Sequence, residues 1–186
     1  MSCSRVREER ARRFFEGLRG IFSVADCTTS QTIRVLTGLS YLTMSRYLNT
    51  LVEAGYIEIH RVQRGRIYIN LYCLPGKRYE KIYIYDGRKA YLIRLIDVIN
   101  ALEKMVKSFS SYTAAVRIRL LKEALNLPNT VAISLILRHI AISVIKDAVI
   151  REEVRDVGSS YSLVLVVDKE KALKLIEEYK RGSPLS

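Results

Sequence analysis

The segment of residues 32–74 constrains the fold of this chain more than any other stretch. Within it, residues 41–54 follow a helical period of about 100° per residue, which sorts their side chains onto two faces. The apolar face holds Met44, Tyr47, Leu48 and Leu51, and the opposite face holds Leu42, Arg46, Asn49 and Glu53. This pattern predicts a helix with one face in a core and the other face free for a partner.

Turn-forming residues bound this helix on both sides. Before it, apolar residues at helical spacing predict a short helix that ends at Gly38, and Ser40 is a good N-cap for the helix that follows. After it, Gly55 predicts the helix end, and residues 56–63 and 66–74 predict the two strands of a β-hairpin. Alternating apolar residues predict that one hairpin face packs inward: Ile57, Ile59, Ile67, Ile69 and Leu71.

This run of elements resembles the winged helix-turn-helix superfamily of DNA-binding proteins, as found in small bacterial and archaeal regulators. The residues that carry the resemblance are Gly38-Leu39-Ser40, Thr43-Met44-Ser45-Arg46, Leu48, Leu51 and Glu53-Ala54-Gly55-Tyr56-Ile57, followed by a basic hairpin. The resemblance covers roughly residues 5–74. It implies a module that places residues 41–49 in the major groove of DNA and its hairpin, the wing, against the backbone.

The residues expected to contact DNA follow from that geometry: Ser40, Tyr41, Leu42, Thr43, Ser45, Arg46, Asn49, Arg61, Arg64 and Arg66. Arg46 is expected to pair bidentately with guanine and Asn49 with adenine, while Leu42 meets a thymine methyl group. Thr43 and Ser45 are expected to bond phosphates or base edges, and the wing arginines to grip the backbone or enter the minor groove.

The net charge favours the same class of partner. The chain has 31 Lys and Arg against 19 Asp and Glu, a net charge of +12. Residues 1–89 hold 16 basic and 8 acidic residues, and residues 90–186 hold 15 and 11, so the excess lies with the helix-turn-helix. Such a balance favours a polyanionic partner, nucleic acid before membrane.

Cysteines and hydropathy bear on the compartment. Cys3, Cys27 and Cys73 are far apart and odd in number, which predicts free thiols in a reducing cytosol. The N-terminus lacks an apolar run, so neither a signal nor a transit peptide is expected. The most apolar stretch, residues 131–145, is interrupted by Arg138 and is too short to cross a bilayer. A soluble cytoplasmic protein with no membrane partner is predicted.

Residues 5–22 predict a first helix that packs under the other two, and residues 23–30 predict a polar loop that caps the next helix. The first helix is rich in arginine: Arg7, Arg10, Arg12 and Arg13. These side chains could touch the DNA backbone, but glutamates are interleaved with them. A solvated face is therefore the favoured interpretation.

Beyond the hairpin, residues 80–85 predict an extended segment, and a long amphipathic helix is predicted from residue 88 to about residue 108. Its apolar stripe is Leu92, Leu95, Ile96, Ile99, Leu102 and Val106. By resemblance to winged-helix regulators this stripe is a dimerisation element; the alternative is that it packs on its own C-terminal module.

The C-terminal half repeats the order of the first half in degraded form. The predicted elements are helices at 92–109, 113–125 and 130–146, strands near 149–156 and 161–167, and a closing helix at 169–179. The helix at 130–146 is apolar nearly all round, and the second wing carries Glu152 and Glu153, where phosphate contact needs positive charge. This half is therefore predicted to bind a partner or to dimerise.

Other kinds of site are not indicated. His60 and His139 lie far apart in sequence, and the cysteines lack paired spacing, so no metal site is predicted. No phosphate-binding loop or nucleophile motif occurs, so neither an enzyme nor a cofactor is predicted. The chain's 12 tyrosines could stack on single-stranded bases, but ordinary roles in strands and half-buried surfaces are favoured for all but Tyr41.

These observations predict an α+β, mainly helical fold with tandem winged helix-turn-helix domains joined by the long amphipathic helix. Residues 1–86 form the DNA-binding domain, and residues 87–186 form a winged-helix-like domain for dimerisation or for a protein partner. The predicted function is sequence-specific binding of double-stranded DNA by a homodimeric transcriptional regulator. Two alternatives stay open: a replication-initiation or partition protein, because tandem winged helices also resemble plasmid-type initiators, and a winged-helix protein-interaction scaffold.

Overall fold

Helices and strands alternate through both halves of the chain. The structure is a computed structural model that describes the backbone of residues 3–77, 80–157 and 160–182 and the side chains of residues 6–77, 80–154 and 163–182. The chain divides into two units, Met1–Val62 with Ile67–Arg94 and Gln63–Arg66 with Leu95–Ser186. In the described residues the strands form two sheets, and the predicted α+β class is confirmed.

The first unit has four helices and five strands in its described part. The helices are α1 (Cys3–Gly17), α2 (Arg19–Phe22), α3 (Ser30–Thr37) and α4 (Tyr41–Glu53). The strands are β1 (Cys27–Thr29), β2 (Glu58–Arg64), β3 (Ile67–Cys73), β4 (Lys81–Tyr85) and β5 (Ala90–Arg94). They lie in the order β2-β3-β1-β4-β5, with β1 antiparallel to β3 and parallel to β4.

The junction of α3 and α4 is built by local hydrogen bonds, as predicted. Thr29 caps α3 by accepting from the backbone N–H of Thr32 at 3.2 Å. Gly38 ends α3 in the left-handed region, with φ of +65°, a conformation that costs a side-chain-bearing residue far more than glycine. The Ser40 hydroxyl then accepts from the N–H of Thr43 at 3.3 Å and starts α4.

The core of the first unit lies under α4. Met44, Leu48 and Leu51 are at most 1% exposed. The buried cluster around them is Ala11, Leu18, Ile21, Ile33, Met44, Leu48, Leu51, Ile57 and Tyr72. Because each large apolar side chain fully removed from water contributes about 1.5–3 kcal/mol, this cluster determines which face of α4 points inward.

Strand β1 corrects the prediction of free thiols. Cys27 and Cys73 lie directly opposite each other in the β1–β3 pair and form a disulfide, with both residues fully buried. The sequence predicted a polar loop at residues 23–30, so the three-residue strand that brings Cys27 to Cys73 was missed. The side chain of Cys3 lies outside the described residues.

The predicted helix at 88–108 is wrong over its first turns. Residues 90–94 are strand β5, paired with β4 in the antiparallel register from Lys81↔Arg94 to Tyr85↔Ala90. Helix α5 spans only Leu95–Lys107. Tyr91 and Ile93 lie on the covered face of the sheet, and Ala90, Leu92 and Arg94 are exposed, an alternation that suits a pleated strand. The ladder to β4 outweighs the helical spacing of Leu92 with Leu95 and Ile96.

The second unit consists of α5, β6 (Thr113–Arg117), α6 (Ile118–Ala124), α7 (Val131–Ile145), β7 (Val149–Val157), β8 (Ser160–Asp168) and α8 (Lys169–Gly182). Its strands are antiparallel in the order β6-β8-β7. Strand β6 occupies the first turn of a helix that the sequence predicted at 113–125. Helix α7 is buried nearly all round, as its apolar composition predicts.

The two units share an order of elements once α2, β4, β5 and α8 are set aside. The first contains α1-β1-α3-α4-β2-β3, and the second contains α5-β6-α6-α7-β7-β8. In both sheets the last strand of the hairpin lies between the single first strand and its hairpin partner. This is a repeat of topology within one chain.

None of the described helices is both long and apolar enough to cross a membrane.

Candidate nucleic-acid interface

The outer face of α4 carries the polar groups that the sequence predicted there. Leu42, Arg46, Asn49 and Glu53 are exposed, opposite the buried Met44, Leu48 and Leu51. At the start of the helix, Tyr41 is 63% exposed and Leu42 is 68% exposed. The face thus presents guanidinium, amide and apolar groups within three helical turns, and the fold itself covers none of them.

Hydroxyl groups surround the N-terminal end of the same helix. Ser40 is exposed, and its hydroxyl lies 3.0 Å from that of Thr43. Thr43 and Ser45 are partly buried. These groups share the end of α4 where the unpaired backbone N–H groups of the first turn give partial positive charge. Anions are favoured at such an end.

The β2–β3 hairpin places its arginines in different surroundings. Arg61 is exposed, with its guanidinium carbon 4.5 Å from the ring centroid of Tyr68, and Arg66 is exposed at the hairpin turn. The predicted inward face is only partly formed. Ile57 and Leu71 are buried and Ile69 is partly buried. Ile59 and Ile67 are 40% and 54% exposed, and on β2 the residues that alternate into the covered face are His60 and Val62 rather than Ile59.

Arg64 differs from the other two hairpin arginines, because it is bonded to the carboxylate of Glu152, which lies in the same unit as residues 63–66. Its Nε donates to Glu152 at 2.7 Å, and Arg138 donates to the two oxygens of the same carboxylate at 2.8 and 2.6 Å. The hydrogen bonds from Arg138, and then those from Arg64, lower the pKa of Glu152. The guanidinium group of Arg64 is therefore engaged within the protein, so Arg64 is not counted among the candidate DNA contacts.

The stripe predicted for dimerisation lies mostly inside the chain. Leu95, Ile99, Leu102 and Val106 are at most 3% exposed and form part of the core of the second unit. Ile96 is partly buried, and Leu92 lies on strand β5, 44% exposed. Since the helix packs on its own module, a homodimer has to rest on other residues.

Helix α1 carries its arginines on an exposed face, as the sequence predicts, and two of them also line a cavity. A cavity of about 430 Å³ in the first unit is lined by Val6, Arg7, Arg10, Thr43, Arg46 and Tyr47. The signal in the sequence was the spacing of Arg7, Ala11, Phe14 and Leu18, which continues the core stripe of α1 toward its N-terminus.

A buried lysine was also missed. Lys122 on α6 is 5% exposed, and its amine donates to the side-chain oxygen of Asn129 and, at 2.9 Å, to the hydroxyl of Ser134. Burial lowers the pKa of this amine. Its bonds tie α6 to the start of α7.

Within the described part of the chain, no group of three His, Cys, Asp or Glu side chains is placed to hold a metal ion.

Comparison with known proteins does not place the chain in a family. No protein-family model matches it, and no curated protein is significantly similar to it. Among solved structures, the chain is similar to a hypothetical protein from Pyrobaculum spherical virus, at 18% sequence identity and a TM-score of 0.49. The similarity covers 86% of this chain and 97% of the viral chain. A similarity at this level assigns neither a family nor a function.

Proposed function

We propose that the first unit is a winged helix-turn-helix module and that the protein binds double-stranded DNA in a sequence-specific manner, as a transcriptional regulator. The observation that carries the proposal is the outer face of α4, where Leu42, Arg46 and Asn49 are exposed beside a helix end that favours anions. The element order α1-β1-α3-α4-β2-β3, with a capped turn between α3 and α4, supports this assignment.

The chemistry of the face matches the edges of base pairs. The major groove is about 12 Å wide and admits one helix. Arg46 has the planar fork that pairs with guanine, Asn49 has the amide that pairs with adenine, and Leu42 offers an apolar contact for a thymine methyl group. Ser40 and Thr43 at the helix end would bond phosphates, and Arg61 and Arg66 on the hairpin would contact the backbone or the minor groove.

The second unit takes a different role in this proposal. Its element order supports a second winged-helix-like domain, but α7, the counterpart of α4, is buried nearly all round. Glu152 balances one of the two positive charges of Arg64 and Arg138, and it engages both guanidinium groups within the protein. We infer that this unit binds a protein partner or a second copy of the chain rather than DNA.

A second candidate is a replication-initiation or partition protein. The observation that favours it is the repeated topology, because a chain with two such units can engage DNA without dimerising. The burial of Leu95, Ile99, Leu102 and Val106 within one chain weakens the main argument for a dimer and so points in the same direction.

Selection of bound duplexes from a random DNA pool tests both candidates. A regulator acting as a dimer is expected to enrich a palindrome, and an initiator is expected to enrich direct repeats. Arg117→Ala, which removes one exposed charge from the second unit, serves as the control and is expected to enrich the same sequence as the wild type. If no sequence is enriched, the DNA-binding proposal fails, and the protein-interaction scaffold becomes the better account.

A further inference from the structure

The cavity between α1 and α4 is lined by three arginine side chains from two distant parts of the sequence. Arg7 and Arg10 come from α1, and Arg46 comes from α4. Thr43 and Tyr47 add two hydroxyl-bearing side chains to the lining. The cavity volume of about 430 Å³ falls within the range of ligand pockets, roughly 300–1,000 Å³.

The packing of the two helices explains why the cavity opens at this place. Ala11 is fully buried, and its small side chain lets α1 approach α4 closely. One turn further along α1, the ring of Phe14 lies 5.3 Å from that of Tyr47 and fills the contact. On the N-terminal side of Ala11 the apolar stripe continues into Arg7, whose charged end cannot enter a core. The helices are therefore lined by basic side chains where their apolar contact ends.

The described carboxylates do not balance the positive charges in the cavity. Among the side chains that the structure describes, none forms an ion pair with Arg7, Arg10 or Arg46. Arg13 on the same helix shows the contrast, because it donates to Glu9 at 2.7 Å. All three arginines are exposed, so solvent screens their mutual repulsion, but together they still favour an anion in the cavity. Guanidinium groups bind phosphoryl oxygens in a bidentate manner, so the chemistry favours phosphate.

We propose that this cavity binds a phosphate of the DNA backbone beside the groove that α4 enters. The proposal rests on the proposed function and extends it, since it makes α1 a second element of the interface. Arg46 belongs both to the outer face of α4 and to the cavity lining, which places the phosphate directly beside the bases that α4 reads. Arg7 and Arg10 then act as phosphate contacts that carry affinity but no sequence preference.

The test compares two double variants with equal loss of charge. Arg7→Ala with Arg10→Ala removes both arginines that α1 contributes to the cavity lining. Arg12→Ala with Arg19→Ala removes two exposed arginines that do not line it. Binding to the selected duplex and to a random duplex is measured over a range of NaCl concentrations. The cavity variant is expected to reduce the salt-dependence slope by about 0.9 for each lost contact and to weaken both duplexes by the same factor. The control pair is expected to keep the wild-type slope.

A conservative variant separates contact from folding. Arg7→Lys with Arg10→Lys keeps the charge and is expected to restore most of the slope, while circular dichroism checks that every variant is folded. If the cavity variant and the control pair have the same slope while the wild type binds DNA, the cavity proposal is overturned and the proposed function stands. If the wild type binds no duplex, both fail.

A second measurement distinguishes the backbone from a free phosphorylated ligand. Thermal unfolding of the full chain is followed in sodium pyrophosphate and in sodium chloride of equal ionic strength. Stabilisation by pyrophosphate that disappears in the cavity variant, together with an unchanged DNA slope, would assign the cavity to a small phosphorylated molecule and overturn the DNA source. The proposal predicts that the cavity variant has a lower salt-dependence slope for DNA binding than the wild type, regardless of the pyrophosphate result.

Discussion

Arg46 is the residue on which the proposed interface depends most closely, because it is exposed at the middle of the outer face of α4 and also lines the basic cavity. Its guanidinium group can therefore meet a base edge or a phosphate. These two contacts have different consequences, since only the base contact carries sequence information.

Arg46→Ala is expected to cost about 1–3 kcal/mol of binding free energy on the preferred duplex and to relax specificity at one base pair. The reason is the loss of a bidentate contact to one base. Titration against the preferred site and its single-base-pair variants measures the effect, with Arg117→Ala as the matched control. Equal weakening on every sequence would identify Arg46 as a phosphate contact of the cavity instead.

Lys122 predicts a pH dependence of stability. Burial lowers the pKa of its amine from the ordinary value of 10.5, so the folded state releases this proton at a lower pH than the unfolded state does. Where the unfolded state binds more protons, the free energy of unfolding rises with pH. Urea unfolding should therefore show the wild type gaining stability relative to Lys122→Met as the pH rises from neutral towards 10.5. A difference that stays constant over this range would be inconsistent with a lowered pKa.

Among the elements, the β2–β3 hairpin carries two exposed arginines and one arginine that is bonded within the protein. Val62 and Leu71 on its strands are buried, as is Ile57 directly before β2, whereas Arg61 and Arg66 are exposed. Arg64 is bonded to Glu152, which also holds Arg138. Removal of Arg61 and Arg66 is therefore expected to affect DNA binding, and removal of Arg64 is expected to affect stability.

Arg61→Ala with Arg66→Ala is expected to weaken binding to all duplexes and to lower the salt-dependence slope by about 0.9 per lost phosphate contact. Arg64→Ala is expected to leave that slope unchanged and to lower the free energy of unfolding by less than about 1 kcal/mol, because the ion pair is partly exposed and Glu152 keeps Arg138. DNA titrations over a range of salt and urea unfolding measure the two effects. A reduced slope for Arg64→Ala would return this residue to the interface.

At the scale of the whole molecule, the apolar stripe of α5 is buried within one chain, and a variant can test this in solution. Leu102 is fully buried in the second unit. Leu102→Ala is therefore expected to lower the free energy of unfolding by about 2–5 kcal/mol, through lost burial and the cavity left behind.

Measuring the stability loss of Leu102→Ala at several protein concentrations distinguishes packing within one chain from packing between two chains. If Leu102 packs within one chain, its contribution to stability should be the same at widely different protein concentrations. Sedimentation equilibrium on the same samples gives the mass directly, against 21.4 kDa for one chain. A loss of stability that depends on concentration would restore the stripe of α5 as a dimer contact.

The sequence by itself determined the elements that form through nearby residues. The turn from Gly38 to Ser40 depends on one left-handed residue and on a hydroxyl that bonds an N–H three residues ahead, so it could be predicted without the rest of the chain. The two faces of α4 follow from the helical period alone. The apolar surroundings of α7 follow from its composition in the same way.

Only the tertiary structure decided the features that join distant residues. Cys27 and Cys73 are 46 residues apart, and strand pairing alone makes them partners. At residues 90–94 the helical spacing of Leu92 with the residues of α5 competes with an alternating period, and the ladder to β4 selects the strand. The packing of α1 on α4 brings Arg7 to Arg46, and the pairing of Arg64 with Glu152 spans 88 residues. Local patterns cannot encode these contacts, because each depends on where the chain returns to after dozens of intervening residues.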